Sequence, residues 1–107
     1  MPYSVLLLEG AIKDTEAIYR YILKSGNKAA AKNLISSLRK ACGSLSENPE
    51  RGHIPYELSK IDQFDYRQIV VKNYRIIYQV AKPNVFIFGI IHGSRNIEEV
   101  LRQRILL

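Results

Sequence analysis

The stretch YRQIVVKNYRIIYQV, residues Tyr66–Val80, decides the fold because it reads as a β-hairpin. Both halves are rich in Tyr, Ile and Val, which favour strands, and Lys72–Asn73 between them has the length of a tight two-residue turn. Such a turn fixes which residues of the two strands lie opposite each other. The expected cross-strand pairs are Val71 with Tyr74, Val70 with Arg75, Gln68 with Ile77, and Tyr66 with Gln79.

Alternation along the hairpin predicts two chemically different faces of the sheet. The more apolar face should meet the helices, and it carries Arg67, Ile69, Val71, Tyr74, Ile76, Tyr78 and Val80. Arg67 lies near the strand end, where its head group can reach water. The other face should be free of helices, polar and partly cationic, and it carries Tyr66, Gln68, Val70, Arg75, Ile77 and Gln79.

Arg75 is the residue of the polar face that most suggests a ligand. It would meet His92 and Arg95, which arrive from the end of the neighbouring strand. Together the three side chains would form a concave basic surface for a phosphate or a carboxylate group. The alternative is that Arg75 pairs with Asp62 or Asp65, and that His92 is an ordinary hydrogen-bonded residue at a strand end.

The chain on either side of the hairpin supplies further strands and helices. VFIFGIIH, Val85–His92, is almost uniformly apolar, as a central strand covered on both faces would be. Near the N-terminus YSVLLLE, Tyr3–Glu9, has the length of one buried strand. Apolar residues then recur at helical spacing over Ala11–Lys24, and Asn27 can cap a second helix that ends before Glu47–Pro49.

Two further segments lie outside these elements: a connection before the hairpin and the C-terminal region. Residues Glu50–Gln63 contain Gly52 and Pro55 and show no hydrophobic period, so a connecting loop is expected. At the C-terminus Asn96 can cap a short helix whose acidic residues come early and whose arginines come late, which suits the helix dipole. The apolar strip of this helix should dock on the protein's own sheet, and it consists of Ile97, Val100, Leu101 and Ile105.

The order of these elements predicts an α+β fold. It has an N-terminal strand, a two-helix hairpin, a three-stranded antiparallel meander and a short C-terminal helix. A length of 107 residues suits a single domain, 1–107, and an apolar share of 47% is ordinary for a globular chain. The opening MPYSVLLLEG has neither the basic region of a signal peptide nor the length of a membrane span, so a cytoplasmic location is expected.

The chain is basic, with 16 Lys and Arg against 10 Asp and Glu, a net charge of +6 and a pI near 9.6. Such an excess suits binding to nucleic acid, binding to an acidic protein segment, or plain solubility. The basic residues of the second helix lie mostly off its apolar stripe, so they form either a solvated face or a binding surface. They are Lys28, Lys32, Arg39 and Lys40.

No motif indicates a metal, a cofactor or a hydrolase. Cys42, His53 and His92 have no metal-ligand spacing, and the six glycines form no phosphate-binding loop. Ser94, in HGSRN, does not lie in a nucleophile elbow. We therefore expect neither a metal nor a cofactor, and we expect Cys42 to be a small buried hydrophobe in a helix.

Three segments, taken with the order of elements, resemble the RelE/ParE superfamily of toxins from bacterial type II toxin–antitoxin modules: NPERG, YRQIVVKNYRIIYQV and VFIFGIIHGSRN. The likeness spans nearly the whole chain, and its most specific parts are the YRIIYQV strand and the apolar strand ending in HGSR. It implies a small α+β toxin that is neutralised by an antitoxin wrapped around it. RelE-like members cut messenger RNA in the ribosomal A site, whereas ParE-like members block DNA gyrase and are not nucleases.

The RelE pattern is only partly present. RNA cleavage by a ribose 2′-hydroxyl needs a base, an acid, and cations for the charge on the phosphorane. The two arginines of the RelE pattern fall on Arg75 and Arg95, which match. Its two lysine positions fall on Tyr66 and Gln68, and its tyrosine position falls on Leu101, so three of the five groups differ.

His92 is then the one evident acid or base for cleavage, because arginine is a poor proton shuttle. Some RelE relatives do use a histidine and an acidic residue instead. Arg67 followed seven residues later by Tyr74, together with a histidine that closes the last strand, resembles ParE more closely.

We therefore expect a ParE-like toxin that acts by binding a protein and has no catalytic residues. The candidate contacts with target or antitoxin are Arg67, Arg75, His92 and Arg95; in the ribonuclease alternative Arg75, His92 and Arg95 would be catalytic. The expected partners are a cognate antitoxin, in a hetero-oligomer, and DNA gyrase, with the ribosome and messenger RNA in the alternative and no membrane. A binding module without toxicity is the third possibility.

Overall fold

A computed structural model describes residues 2–62 and 65–105 of the chain. Four strands, β1 (Ser4–Leu7), β2 (Arg67–Val71), β3 (Tyr74–Ala81) and β4 (Asn84–His92), form one sheet in the order β1-β4-β3-β2. The helices are α1 (Glu9–Lys24), α2 (Lys28–Ser44), the one-turn α3 (Tyr56–Ser59) and α4 (Ile97–Ile105). None of the described helices is both long enough and apolar enough to cross a membrane. The predicted α+β fold is confirmed.

The β2–β3 hairpin has the predicted register. Val71 lies opposite Tyr74, Val70 opposite Arg75, and Gln68 opposite Ile77. The expected pair of Tyr66 with Gln79 lies beyond the ladder, because β2 begins at Arg67. Lys72 in the turn has a φ of 54°, which suits the turns that fit the twist of a two-residue hairpin.

β4 is a central strand, as its apolar run predicts. It pairs antiparallel with β3 and parallel with β1, whose Leu7 lies opposite Ile87. A bulge interrupts the β3–β4 ladder, since Ile77 pairs with Gly89 but the next residue, Tyr78, pairs with Ile87. The parallel pairing of β1 closes one edge of the meander and leaves β1 and β2 as the edge strands.

The sheet separates two hydrophobic cores. On one face Ile69, Ile76 and Tyr78 pack with the buried sides of α1 and α2, as the alternation predicts. On the other face α3 and α4 cover the sheet, so the prediction that this face is free of helices is wrong. This second core consists of Leu58, Ile77, Ile91, Ile97, Val100 and Leu101, with Tyr66 and Phe88 packed against it.

The second cover follows from the apolar strip of α4. Ile97, Val100 and Leu101 dock on the sheet as predicted, while the side chain of Ile105 lies outside the described residues. Because α1 and α2 already occupy one face, the strip packs on the face that carries Arg75. Burying each large aliphatic side chain there contributes about 1.5–3 kcal/mol. This free energy of burial favours a sheet face covered by α4 over a face left exposed to water.

An ion pair fastens α4 to α1 beside the bulge. The Arg104 guanidinium meets both carboxylate oxygens of Asp14, at 2.6 and 2.7 Å. Asp14 Oδ2 also accepts a hydrogen bond from the Ile90 backbone N–H, and Arg104 donates to the Phe88 carbonyl. The two side chains thus provide hydrogen-bond partners for backbone groups of β4 beyond the point where β1 ends. Arg104 therefore binds a specific partner and does more than favour the helix dipole.

The segment predicted to be a loop contains regular structure. Pro49–Arg51 forms a 3-10 turn, and Tyr56–Ser59 forms α3. The buried Tyr78 hydroxyl donates to the Pro49 carbonyl at 2.7 Å and accepts from the Gly52 N–H at 2.9 Å, which fixes the turn on the sheet. A helix of one turn is too short to show a hydrophobic period, so the periodic pattern could not predict α3.

Cys42 has the predicted structural role. It lies on the buried side of α2 with 3% of its surface exposed. Burial raises the pKa of its thiol to about 11, because the thiolate would lose its hydration there. The side chain is therefore a protonated, unreactive part of the core at neutral pH.

Asn27 caps α2, as predicted, because its side-chain oxygen accepts a hydrogen bond from the Ala30 N–H at 2.9 Å. An Asn27→Ala variant is expected to lose about 1 kcal/mol of unfolding free energy, since the N–H loses its partner. Urea unfolding followed by circular dichroism measures the change. Asn33→Ala is the matched control on the exposed part of the same helix, and an equal loss in both variants would rule out a capping effect.

Candidate functional site

Arg75 lies at the centre of the predicted site, but its guanidinium is already bound within the protein. Nη1 and Nη2 each meet one oxygen of the Glu57 carboxylate at 2.7 Å, in a bidentate ion pair. Nε donates to Gln68 Oε1 at 2.7 Å, and Nη1 also donates to the Arg95 carbonyl at 3.3 Å. Only 12% of the Arg75 side chain is exposed. Its charge is therefore neutralised and largely buried.

The carboxylate partner of Arg75 is Glu57, where the sequence suggested Asp62 or Asp65. Glu57 lies on α3, within the segment read as a loop, so its position beside the sheet could not be foreseen. The one signal was Pro55 two residues before Glu57, because proline before a helix and an acidic residue in its first turn are a common helix start. The site thus contains a residue that sequence reasoning missed.

Gln68 extends the network to the outer edge of β2. Arg75 Nε can only donate, so the Gln68 oxygen faces it and the Gln68 amide nitrogen faces His53 Nε2, 2.9 Å away. The amide nitrogen is a donor, which makes His53 Nε2 the acceptor and places the proton of the neutral ring on Nδ1. His53 also forms a backbone bridge with Gln68. The chain His53–Gln68–Arg75–Glu57 therefore connects the β2 edge with α3.

Glu57 also binds the start of α4, because its Oε2 accepts a hydrogen bond from the Ile97 N–H at 3.3 Å. The hydrogen bonds from Arg75 outweigh the effect of burial and lower the pKa of the Glu57 carboxyl from 4.5 to about 2. A single carboxylate thus connects α3, β3 and α4. In the folded protein it stays charged at pH values well below those at which a glutamate is usually protonated.

The lowered pKa of Glu57 predicts acid sensitivity. The carboxylate stabilises the fold fully above its unfolded-state pKa of about 4.5, and this stability is lost as the pH falls through 4.5 towards 2. The loss from this one group should approach about 3 kcal/mol, by the relation of 1.36 kcal/mol per pKa unit. Urea unfolding at a series of pH values between 2 and 6 measures it.

A Glu57→Gln variant should show a shallower fall in stability across that window, because the titrating group is gone. Glu9→Gln, which removes the exposed carboxylate of the Glu9–Lys13 pair, is the control for losing one acidic group. If Glu57→Gln and the native chain lose stability in parallel between pH 4.5 and 2, another carboxylate is responsible.

His92 lies exposed at the end of β4. Its Nδ1 accepts a hydrogen bond from the Ser94 N–H at 3.2 Å and lies 2.8 Å from Ser94 Oγ, so the neutral ring carries its proton on Nε2. The Tyr74 ring packs edge-on against it, with the ring centroids 5.8 Å apart. His92 is thus held in one orientation by its own turn.

A shallow pocket of about 410 Å³ is lined by both His92 and Arg75. Arg95 is exposed in the turn after His92, and its carbonyl binds Arg75. The structure therefore places His92 and Arg75 at one pocket and brings Arg95 to it through its backbone carbonyl. The full lining is Val70, Lys72, Asn73, Arg75, His92, Gly93 and Ser94, which includes no carboxylate.

Arg67, the fourth predicted residue, lies apart from this pocket. Its Nη2 pairs with the Glu50 carboxylate at 2.9 Å, and its Nη1 donates to the Gly52 carbonyl at 2.8 Å. The side chain keeps 33% of its surface exposed, so its head group does reach water as predicted. Arg67 fixes the 3-10 turn against the start of β2.

These contacts limit what the pocket can do chemically. His92 is its one side chain suited to proton transfer near neutral pH, and the charge of Arg75 is already balanced by Glu57. The arrangement suits hydrogen bonding to a partner at the rim more than charge stabilisation in a reaction. Among the described residues, 2–62 and 65–105, no group of three or more His, Cys, Asp or Glu side chains is placed to hold a metal ion.

A family model for the ParE toxin of the type II toxin–antitoxin system parDE matches residues 5–97 of the chain. No curated protein is similar enough to match the sequence.

Two solved structures show the same fold at low sequence identity. The chromosomal ParDE toxin–antitoxin system of P. aeruginosa superposes with a TM-score of 0.72 at 15% identity, covering 86% of this chain and 97% of that one. The RelBE2 toxin–antitoxin complex of Mycobacterium tuberculosis superposes with a TM-score of 0.58 at 20% identity, covering 89% of this chain and 95% of that one.

Proposed function

The chain belongs to the ParE family of toxins from type II toxin–antitoxin systems, and from that premise we propose that it inhibits bacterial growth by binding DNA gyrase. In this proposal residues 1–107 form one toxin domain that acts in the cytoplasm and is neutralised by a cognate antitoxin in a hetero-oligomer. The effect requires protein binding and no bond cleavage, so the chain is not an enzyme.

One observation carries the choice of binding over cleavage: Glu57 neutralises Arg75 in a bidentate ion pair. An arginine that stabilises a phosphorane must present its charge to the phosphate, and this one has its charge satisfied within the fold. Opening the pair would leave a carboxylate unpaired in a largely buried position, which is costly.

The positions where the RelE pattern carries proton-transfer groups support the same choice. Gln68 is 7% exposed and binds Arg75, and Leu101 is 7% exposed in the second core. Tyr66 packs edge-on against Phe88, with the ring centroids 5.2 Å apart. Each of the three side chains packs or holds another residue.

The antitoxin and the target need accessible side chains. The apolar strip of α4 would suit an amphipathic antitoxin segment only if it were exposed, and Ile97, Val100 and Leu101 are buried against the sheet. His92 and Arg95 are exposed at the end of β4 and remain candidate contacts. In this proposal Arg67 and Arg75 act mainly through their ion pairs with Glu50 and Glu57, which fix the segments around the site.

Ribosome-dependent cleavage of messenger RNA remains the second candidate, because His92 and Arg75 line the same pocket. Inducing the chain in a bacterial host without antitoxin tests both readings. We expect growth arrest, relief by co-expressed antitoxin, and intact messenger RNA by primer extension. Codon-specific cuts in the RNA would favour the ribonuclease, with His92, Arg75 and Arg95 in catalytic roles. Harmless accumulation of folded protein would contradict both and leave a binding module without toxicity.

A further inference from the structure

The net charge of the chain is concentrated in one part of the fold. Between Arg20 and Ser46 the sequence contains six Lys and Arg residues and no Asp or Glu. The other ten Lys and Arg residues are balanced by ten Asp and Glu residues. The whole net charge of +6 therefore lies on the second half of α1 and on α2. The six cations are Arg20, Lys24, Lys28, Lys32, Arg39 and Lys40.

All six cationic residues are exposed. Within residues 2–62 and 65–105, none of them forms an ion pair. Among the same described residues, five of the other ten cations do pair with carboxylates, as in Arg67–Glu50, Arg75–Glu57 and Arg104–Asp14. The six charges on the helical hairpin are thus not neutralised by ion pairs among the described residues, so they attract polyanions from solution.

Five of the six side chains form one row on each helix, and Arg39 lies beside the α2 row. In α2 the positions Lys28, Lys32, Ser36 and Lys40 recur every four residues, which aligns them over about 18 Å of helix. Arg20 and Lys24 are four residues apart in α1. Arg20, Lys32 and Arg39 line one groove of about 500 Å³ between the two helices, together with a single carboxylate, Glu16, so the groove has a net positive charge. We call this surface the basic face.

The side chains between the cations distinguish the class of partner. The exposed residues of α2 include Asn33 and Ser36, which can donate hydrogen bonds to phosphate oxygens. None of the large exposed hydrophobic residues of the described chain lies on α2, although Tyr21 and Leu23 are exposed between Arg20 and Lys24 on α1. Protein interfaces depend on such apolar or aromatic anchors, whereas phosphate contacts need cations and small polar groups. On α2, which carries four of the six cations, the composition of the basic face therefore favours nucleic acid over an acidic protein.

We propose that the basic face binds the phosphate backbone of duplex DNA without regard to base sequence. Each lysine or arginine that neutralises a phosphate releases counter-ions, so the binding is strongly dependent on salt. For a gyrase-directed toxin such a surface would add contacts to the DNA on which the target acts. DNA binding itself is independent of the proposed function, because it requires neither gyrase nor antitoxin.

The test is the salt dependence of binding to a short, random-sequence, fluorescent DNA duplex, followed by anisotropy with the purified full chain. If six phosphates are neutralised, affinity should fall about 10³-fold between 50 and 200 mM salt. The triple variant Lys28→Gln, Lys32→Gln, Lys40→Gln should have a slope of log K against log salt that is shallower by about three. It should lose only about 40-fold over the same range.

A matched control removes three exposed lysines outside the basic face: Lys13→Gln, Lys60→Gln and Lys82→Gln. It has the same net charge as the hairpin variant and should keep the native slope; thermal melts check that both variants fold. Equal effects of the two triple variants would overturn the proposal in favour of net charge alone. No binding at 50 mM salt, or tighter binding to an oligoglutamate peptide of equal charge, would also overturn it.

Discussion

A Glu57→Ala variant is expected to unfold with a free energy lower by about 3 kcal/mol, because it leaves the Arg75 charge unpaired where 12% of the side chain is exposed. The substitution also removes the acceptor of the Ile97 N–H at the start of α4. We expect the loss to appear in chemical unfolding at pH 7, with greater hydrogen exchange in α3 and α4.

Two controls separate the buried pair from other effects. Glu9→Ala breaks the ion pair between Glu9 and Lys13, whose side chains are 81% and 71% exposed, respectively. This variant should change the free energy of unfolding far less than Glu57→Ala does. The double variant Glu57→Ala, Arg75→Ala should lose less unfolding free energy than the two single variants lose in sum, because it removes both charges and leaves neither one unpaired. Strict additivity would show that the two side chains do not interact in solution.

A Gly52→Ala variant should be destabilised by about 3 kcal/mol or more, from overpacking together with lost buried hydrogen bonds. A Cβ on Gly52 would overlap the Tyr78 hydroxyl and lie 2.6 Å from the Gln68 carbonyl oxygen. The turn would have to leave the sheet and give up the bonds that Tyr78 makes to Pro49 and Gly52. Urea unfolding with Tyr fluorescence measures the loss.

Gly43→Ala is the matched control, because a Cβ there meets no atom within 4 Å and the residue lies in α2. It should raise stability by about 0.5–1 kcal/mol through helix propensity. A Gly52→Ala, Tyr78→Phe double variant removes the hydroxyl but leaves the clash with the Gln68 carbonyl, so only partial rescue is expected. A Gly52→Ala variant as stable as the native chain would mean that the 3-10 turn is not held against β2.

The hairpin could be predicted from sequence because its determinants are local. A two-residue turn fixes the register, and the alternation on both sides assigns Ile69, Ile76 and Tyr78 to the core of α1 and α2. The strip on α4 was likewise visible as a period of apolar residues. Local pattern did not indicate which face the strip would cover, since that choice depends on where α1 and α2 pack.

The partners of the predicted site residues depend on contacts between distant segments. Glu57 is 18 positions from Arg75, on a helix too short to show a period, so the ion pair had no local signature. His92 lies near Arg75 because β4 pairs with β3, whereas Arg95 follows β4 and contacts Arg75 through its backbone carbonyl. The unbalanced charge between Arg20 and Ser46 is evident from the sequence, but only the structure shows that all six cations are exposed and that three of them line one groove.

The most direct test of the central proposal is DNA gyrase supercoiling of relaxed plasmid while the purified chain is titrated in, with and without excess cognate antitoxin. We expect inhibition that rises with toxin and is reversed by antitoxin, with no cleavage of messenger RNA in a parallel translation assay. Full supercoiling in the presence of folded chain, together with cut messenger RNA on ribosomes, would contradict the proposal.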